Sequence, residues 1–264
     1  MSRGTTTDWD AKRYDQLAAP QERWARGVLE RLPLEGTETV LDAGCGSGRV
    51  TKLLLEKVPD GRVIGVDGSP SMIALASETF AADDRVTLIS ADLLGLEAGL
   101  LRREAGIDSV DAVFSNATFH WIADHERLFA RLFDLLKPGG RLVSQCGGRG
   151  NVADWTEAIL RAAAENPFAE YVRGFEPWSF YGDAETAERL RGVGFLAVRC
   201  WLEEVDAVRP EDPRDFVTVV GLAAHQERLP PELRERFVDA VIEALPQPLE
   251  LRYIRLNADA RRPE

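Results

Sequence analysis

The sequence contains little lysine, cysteine or histidine, and it has no long apolar run. Four of its 264 residues are lysine, three are cysteine and three are histidine. No apolar stretch approaches the roughly 20 residues that a membrane-spanning helix needs, so no membrane span is expected. The cysteines (Cys45, Cys146 and Cys200) have neither disulfide nor zinc-site spacing. This pattern predicts a cytoplasmic protein without a bound metal.

Negative charge outnumbers positive charge. The formal net charge is −12, and no basic run is longer than pairs such as Arg102-Arg103 and Arg261-Arg262, each close to an acid. Proteins that bind nucleic acid hold the phosphate backbone with clusters of lysine and arginine. The composition therefore argues against a nucleic-acid substrate and favours a small molecule.

The order of the predicted elements indicates an α/β protein. Residues 1–8 lack the apolar core of a signal peptide and are expected to form a flexible tail, followed by a single domain over residues 9–264. Strands and helices alternate from about residue 39 to residue 142, which predicts a mostly parallel sheet covered on both faces. The other elements are predicted as helices over residues 9–32, 124–133, 151–164, 183–191, 213–224 and 231–245, and as strands over residues 196–208 and 249–257.

A glycine-rich loop follows the first predicted strand. Asp42 precedes three glycines at alternate positions, Gly44, Gly46 and Gly48, with Cys45 between the first two. Glycines let the backbone turn sharply and let a ligand lie against the main chain. A dinucleotide loop has its third glycine one position later. A carboxylate at the mouth of the loop repels a pyrophosphate but suits an ammonium or sulfonium ligand.

Each of the next three predicted strands also ends at a polar residue. Asp67 follows Gly48 by 19 residues, close to the interval at which an acid accepts the ribose hydroxyls of a bound nucleoside. A helix is predicted after it, with a serine cap and a proline in its first turn. The third and fourth predicted strands end at Asp92 and Asn116, and a Lys-Pro-Gly-Gly turn precedes the fifth.

These motifs, in this order, resemble those of the class I S-adenosylmethionine-dependent methyltransferases. The resemblance implies a Rossmann-like sheet of seven strands in the order 3-2-1-4-5-7-6, with the last strand antiparallel, and S-adenosyl-L-methionine as cofactor. It implies that helices 9–32 and a helical insertion at residues 210–246 cap the cofactor cleft. The cofactor-binding residues it implies are Asp42, Gly44, Cys45, Gly46, Gly48, Asp67, Gly68, Ser69, Met72, Ala91, Asp92, Leu93, Asn116, Ala117 and Trp121.

A narrower resemblance begins after the fourth strand. The segment from Phe114 to His125 and the opening Asp8–Tyr14 are similar to those of trans-aconitate methyltransferases, which esterify a carboxylate of a small organic acid. The chain departs from that family after Gly221-Leu222, where two alanines and His225 stand in place of an arginine. The alternatives left open are O-, N- or C-methylation of a secondary metabolite or lipid-like acid, and a non-catalytic or cyclase-like relative.

The acceptor decides which side chains the reaction needs. A carboxylate is ionised at neutral pH and needs no base, whereas a phenol or a hydroxyl does. His120, just past the fourth strand, is the candidate catalytic residue, and His125 is expected on the surface of its helix. The candidate substrate-binding residues are Tyr14, His120, Arg149, Trp178 and His225. The expected partner is a small-molecule methyl acceptor, and the expected state is a monomer or homodimer.

Overall fold

The computed structural model describes Ala11, Arg13 and residues 19–264 of the chain. The expected tail, most of the segment before residue 19 and the candidate residue Tyr14 lie outside the described residues. Ala11 and Arg13 are helical. The first helix with described bounds is α1, Ala19–Glu30.

Seven strands form one sheet in the order β3-β2-β1-β4-β5-β7-β6. The first five strands run parallel to one another, and β7 is antiparallel to both of its neighbours, β5 and β6. The predicted strand order and the antiparallel last strand are confirmed. The strands are β1 Thr39–Ala43, β2 Arg62–Asp67, β3 Val86–Ser90, β4 Val110–Asn116, β5 Leu136–Gly147, β6 Leu196–Val208 and β7 Leu251–Arg261.

Helices cover both faces of the sheet because successive strand residues point to opposite sides. In β1, Val40 packs with α1 and with the helix after the glycine loop, while Leu41 packs with the helices on the other face. Every residue of β1 is buried, as expected for a central parallel strand. The helices of the domain are α2 Arg49–Lys57, α3 Pro70–Thr79, α4 Ala98–Ala105, α5 His125–Leu135, α6 Ala153–Ala164, α7 Ala169–Val172 and α8 Asp183–Val193.

A second apolar core lies between the sheet and the segment that joins β6 to β7. It contains Trp155 of α6 and Phe237, whose rings pack among aliphatic side chains and other aromatic rings. The segment holds three α-helices and one π-helix. They are α9 Pro213–Phe216, the π-helix Val217–Gly221, α10 Ala223–Arg228 and α11 Pro231–Ala244.

Two predicted elements differ from the structure. The single helix predicted over residues 213–224 is three short pieces, because the chain widens into a π-helix where Gly221 abuts Trp155. The predicted last strand ends at Asn257, but β7 continues to Arg261, since its second half pairs with both β5 and β6. The Lys-Pro-Gly-Gly segment forms an irregularity at the start of β5, with Gly139 at φ 75°.

None of the helices in the described part of the chain is both long and apolar enough to cross a membrane.

Candidate functional site

The loop after β1 is shaped by its three glycines, each for a different reason. All three have positive φ (86° at Gly44, 54° at Gly46 and 83° at Gly48). A Cβ on Gly44 would lie 2.1 Å from the Thr118 hydroxyl oxygen, and one on Gly48 would lie 2.4 Å from the Phe80 ring. A Cβ on Gly46 would meet nothing within 4 Å. Gly46 therefore borders open space at the carboxyl edge of the sheet.

Two carboxylates flank this loop. Asp42 is 1% exposed and accepts a hydrogen bond of 2.7 Å from the Thr51 hydroxyl of α2. Burial raises the pKa of Asp42 to about 7, the Thr51 hydrogen bond opposes that change, and the nearby charge of Asp67 adds to it. A nearby cation would therefore stabilise the ionised form of Asp42, which burial disfavours.

Asp67, at the end of β2, ties two loops together. Its carboxylate accepts hydrogen bonds from the backbone N–H of Gly46 (2.9 Å) and of Ser69 (2.8 Å). Burial raises the pKa of Asp67, and these two hydrogen bonds oppose the change. The second acidic group of the site is therefore held against the glycine loop itself.

The predicted residues after β2 and β3 lie at the same edge of the sheet. Gly68 connects Asp67 to Ser69, whose hydroxyl caps α3 by accepting a hydrogen bond from Met72 N–H. Ala91 donates its N–H to the Asp67 carbonyl. Asp92 is exposed and caps the short 3-10 helix Leu93–Gly95, in which Leu93 is buried.

The loop after β4 completes this edge. Asn116 is buried, and Ala117 adopts a φ of 59° while donating its N–H to the Gln145 carbonyl of β5. Thr118 donates to the Gly44 carbonyl, which joins the loop to the glycine turn. The chain leaves β1 toward β2 on one side and β4 lies on the other, so the loops surround the switch point where α/β sheets bind their ligands.

His120 is held in one orientation beside β5. It is 8% exposed, and its Nδ1 accepts a 3.2 Å hydrogen bond from Gly147 N–H. The ring proton of the neutral histidine therefore lies on Nε2. Burial lowers the pKa of His120 well below its ordinary value, and the charge of Arg255 adds to this effect.

Aromatic rings extend from His120 toward the second core. Phe180 stacks on the His120 ring with centroids 5.8 Å apart, and Trp178 stacks on Phe180 at 5.7 Å. The ring centroids of Trp121 and Trp178 are 5.8 Å apart. Trp121, Trp178 and Phe180 are all half-buried. The structure thus brings the predicted residues His120, Trp121 and Trp178 together.

Two other predicted substrate residues have contacts of their own. The Arg149 side chain is 68% exposed and pairs with Glu185 at 2.6 Å. His225 is fully buried among Phe175, Trp178 and Phe237, and its Nε2 bonds the Phe175 carbonyl at 3.3 Å. The role of both side chains in acceptor binding stays a prediction.

The expectation for His125 is wrong. The ring is 2% exposed rather than on the surface, and its Nε2 bonds the Phe119 carbonyl at 2.9 Å. It packs between Phe129 and Tyr181, because the start of α5 turns inward under the loop after β4.

Sequence reasoning missed Arg255. Arg255 lies on β7 opposite Gly147, and it is 2% exposed. The alternation of β7 could have identified it as an inward-facing charge, since Tyr253, Arg255 and Asn257 share one face of the strand. Its position next to His120 depends on the pairing of β5 with β7, which no local pattern reveals.

Comparison with known proteins agrees with this geometry. Residues 40–140 match the family model described as "Methyltransferase domain". The trans-aconitate 2-methyltransferase of Methylobacterium radiotolerans is 32% identical over 249 residues, which cover 90% of this chain and 89% of that protein. The Escherichia coli enzyme of that name is 35% identical over 172 residues, covering 65% of this chain and 62% of its own length.

Solved structures share the fold at low identity. Phosphoethanolamine N-methyltransferase 2 of Haemonchus contortus, in complex with S-adenosyl-L-methionine, has a TM-score of 0.61 at 20% identity, covering 96% of this chain and 57% of that one. The [4+2]-cyclase SpnF has a TM-score of 0.58 at 20% identity, and the match covers 92% of this chain and 81% of the cyclase. Since the fold serves both chemistries, it does not by itself decide the reaction.

The match to the methyltransferase domain and the similarity to trans-aconitate 2-methyltransferases identify the chain as an S-adenosylmethionine-dependent methyltransferase. Within that class, the chain belongs to the trans-aconitate 2-methyltransferase family. S-adenosyl-L-methionine is the cofactor, and the site suits it: the space over Gly46 admits a ligand, and two buried carboxylates suit a cation.

Proposed function

We propose that the enzyme methylates a carboxylate of a small organic acid and forms a methyl ester. The observation that carries this proposal is the state of His120. Its Nδ1 is occupied by Gly147 N–H, so the neutral ring presents a proton on Nε2. A nitrogen in this state donates a hydrogen bond but does not accept a proton.

An acceptor that needs a general base is poorly served by this site. His120 is buried with a pKa well below its ordinary value, and the other two histidines are buried in contact with backbone carbonyls. A carboxylate arrives ionised at neutral pH and needs only alignment. The names of the relatives support an acid of this kind as acceptor.

The residues at the carboxyl edge would hold the cofactor, which supplies an electrophilic methyl group on a sulfonium. We assign Asp42 and Asp67 to offset its positive charge, with Asp67 also accepting from the ribose hydroxyls. Gly44, Cys45, Gly46 and Gly48 form the turn against which the ligand lies. The remaining assigned contacts are those of Gly68, Ser69, Met72, Ala91, Asp92, Leu93, Asn116, Ala117 and Trp121.

His120 orients the acceptor in this scheme. Its Nε2–H donates to one carboxylate oxygen, which leaves the other oxygen available as the nucleophile. The hydrogen bond from Gly147 holds the ring in this tautomer, and stacking on Phe180 keeps its plane fixed. His120 thus acts by binding and positioning rather than by removing a proton.

The segments at residues 9–32 and 210–246 are proposed to cap the cofactor cleft. Arg13 pairs with Asp215, which joins the two segments. The Trp24 ring of α1 packs against the Tyr253 ring, with centroids 4.9 Å apart, and the Arg255 guanidinium lies over the Trp24 ring. A closed cap would exclude water from the reacting atoms.

We further propose a cytoplasmic monomer or homodimer with a small-molecule acceptor and no nucleic-acid partner. The three free cysteines and the net charge of −12 support this proposal.

The experiment is transfer of tritiated methyl from the cofactor to a panel of organic acids, phenols and amines. The expected product is stable to acid and released by mild base, as a methyl ester is. With the cofactor saturating, kcat/KM should show no rise between pH 6 and pH 9 that tracks deprotonation of a base. Labelled phenols or amines, without any base-labile product, would overturn the proposal.

A His120 pair tests the positioning role. His120→Gln keeps an N–H donor at this position, and its amide oxygen can accept from Gly147, so it should retain much of the activity. His120→Ala should lower kcat/KM at least 10-fold with cofactor affinity unchanged. If the two variants lose activity equally while binding cofactor normally, the donor role is wrong.

A further inference from the structure

A buried cation lies beside the proposed acceptor position. Arg255 faces Gly147 across the β5–β7 pair, and Gly147 is the residue whose N–H bonds His120. The Arg255 guanidinium lies 4.8 Å from the centroid of the Trp24 ring, and its Nε is 3.4 Å from the Gln145 amide oxygen. An arginine stays charged at any physiological pH and matches the geometry of a carboxylate.

The surface next to this cation is aromatic. Phe180 and Trp178 stack in nearly parallel planes, 18° apart, and Phe180 also stacks on His120, with an angle of 28° between the two ring planes. A Cβ on Gly147 would lie 2.6 Å from the Phe180 ring, so the aromatic rings reach the end of β5 itself. Both rings are half-buried, so part of their apolar surface remains accessible, and such a surface favours a flat apolar group over a second carboxylate.

Three other arginines of the described chain are exposed or have a contact elsewhere. Arg149 is exposed and paired with Glu185, and Arg173 is exposed. Arg228 lies over the Phe175 ring at 3.8 Å. An acid with three carboxylates needs several cations, because each desolvated charge must be matched. Among the described residues, Arg255 is the arginine whose charge lowers the pKa of His120.

We infer that the acceptor is a monocarboxylic acid with a flat apolar tail, whose carboxylate lies between Arg255 and His120 and whose tail lies along Phe180 and Trp178. This inference rests on the proposed carboxylate methylation and narrows it to one class of acid. It also predicts that trans-aconitate is a poor acceptor, although members of the family carry its name.

The test compares methyl transfer to trans-cinnamate, acrylate and trans-aconitate with the cofactor saturating. We expect kcat/KM for cinnamate to exceed that for trans-aconitate at least 10-fold, and to exceed that for acrylate by a similar factor. Equal or better use of trans-aconitate would overturn the inference while leaving carboxylate methylation intact. Failure of all acids, with label on phenols or amines, would instead overturn the proposed function.

Variants separate the two ends of the acceptor. Trp178→Ala should lower kcat/KM for cinnamate at least 10-fold and that for acrylate less than 2-fold, whereas Trp178→Phe should preserve both. An equal effect of Trp178→Ala on the two acids would show that the ring does not receive the tail.

Arg255→Gln should raise KM for both acids at least 10-fold, while Arg255→Lys, which keeps the buried charge, should show a smaller increase. Arg209→Gln is the matched control, an exposed arginine paired with Glu250. Cofactor binding by calorimetry verifies that each variant is folded. If Arg255→Gln binds no cofactor, the test rests on Arg255→Lys. An Arg255→Lys variant whose KM for both acids equals that of the wild type would then overturn the role of Arg255.

Discussion

At the scale of single residues, the three glycines of the cofactor loop have separate structural reasons. Gly44 and Gly48 are required by the protein, because their missing side chains make room for Thr118 and Phe80. Gly46 has free space around it, so packing within the protein does not require a missing side chain at this position. A side chain at Gly46 should therefore affect the ligand more than the protein.

Gly46→Val should abolish cofactor binding and leave the fold largely intact. Valine would occupy the space over the loop, and its only cost to the protein is the positive φ. Gly106→Val is the matched control, because Gly106 also has a positive φ (69°) and no neighbour within 4 Å, at the end of α4. Calorimetric titration and circular dichroism on both variants provide the measurement. Normal cofactor affinity in Gly46→Val would show that the ligand lies elsewhere.

Asp67→Ala should lower cofactor affinity 10-fold or more, about 1.5–3 kcal/mol, for the loss of a charge-assisted hydrogen bond. The structure adds a second cause, since the variant also releases the Gly46 and Ser69 N–H groups that Asp67 orders. Asp67→Asn keeps an oxygen acceptor, so its cofactor affinity should lie between those of the wild type and Asp67→Ala. Equal binding by the wild type and Asp67→Ala in titration calorimetry would exclude the ribose assignment.

At the scale of elements, the π-helix Val217–Gly221 fits against α6 through one glycine. A Cβ on Gly221 would come 1.6 Å from the Trp155 ring, so the ring occupies the place of the missing side chain. π-helical turns are rare and often lie near functional sites. Here the turn sets how the cap packs on the domain.

Gly221→Ala should therefore destabilise the protein by about 1–3 kcal/mol, as overpacking of a tight core does. Gly192→Ala, in α8 with no neighbour within 4 Å, should be neutral or stabilising by no more than about 1 kcal/mol. Urea unfolding monitored by circular dichroism compares the two. A Gly221→Ala variant as stable as Gly192→Ala would show that the cap yields easily at this contact.

Sequence patterns predicted most elements but not this one. Leu196–Val208 is predicted as a strand and observed as β6, and the serine cap before Pro70 opens α3 as expected. Local alternation and capping determine such elements, so a short window of sequence suffices. The π-helix depends on Trp155, more than sixty residues away, and no window around Gly221 contains that contact.

At the scale of the whole molecule, cofactor binding is linked to pH through Asp42. In the cofactor-free protein its pKa is about 7, above its ordinary value of 3.8, so the folded state binds this proton more tightly than the unfolded state. The contribution of Asp42 to stability is therefore greatest below about pH 4 and declines as the pH rises toward 7. A bound cation favours the ionised carboxylate, and binding releases the proton.

Cofactor affinity should accordingly fall up to about 10-fold between pH 8 and pH 6 from this group alone. The thermal stabilisation by a fixed excess of cofactor should be larger at pH 8 than at pH 6. Asp42→Asn removes the titrating group, so its weaker binding should lose this component of the pH dependence. Identical pH profiles for the wild type and Asp42→Asn, measured by calorimetry, would contradict the linkage.

The sequence by itself determined the α/β class, and its resemblance to a known family implied the cofactor and the strand order. The Asp42–Gly48 loop, Asp67 and the alternation of strands and helices are local patterns, and each carries its own physical meaning within a few residues. The tertiary structure alone decided what the acceptor meets. His120, Gly147 and Arg255 come together because β5 lies between β4 and β7, and that packing sets the tautomer of the histidine and places a buried cation beside it. Such contacts depend on long-range strand pairing, so Arg255 went unnoticed in the sequence.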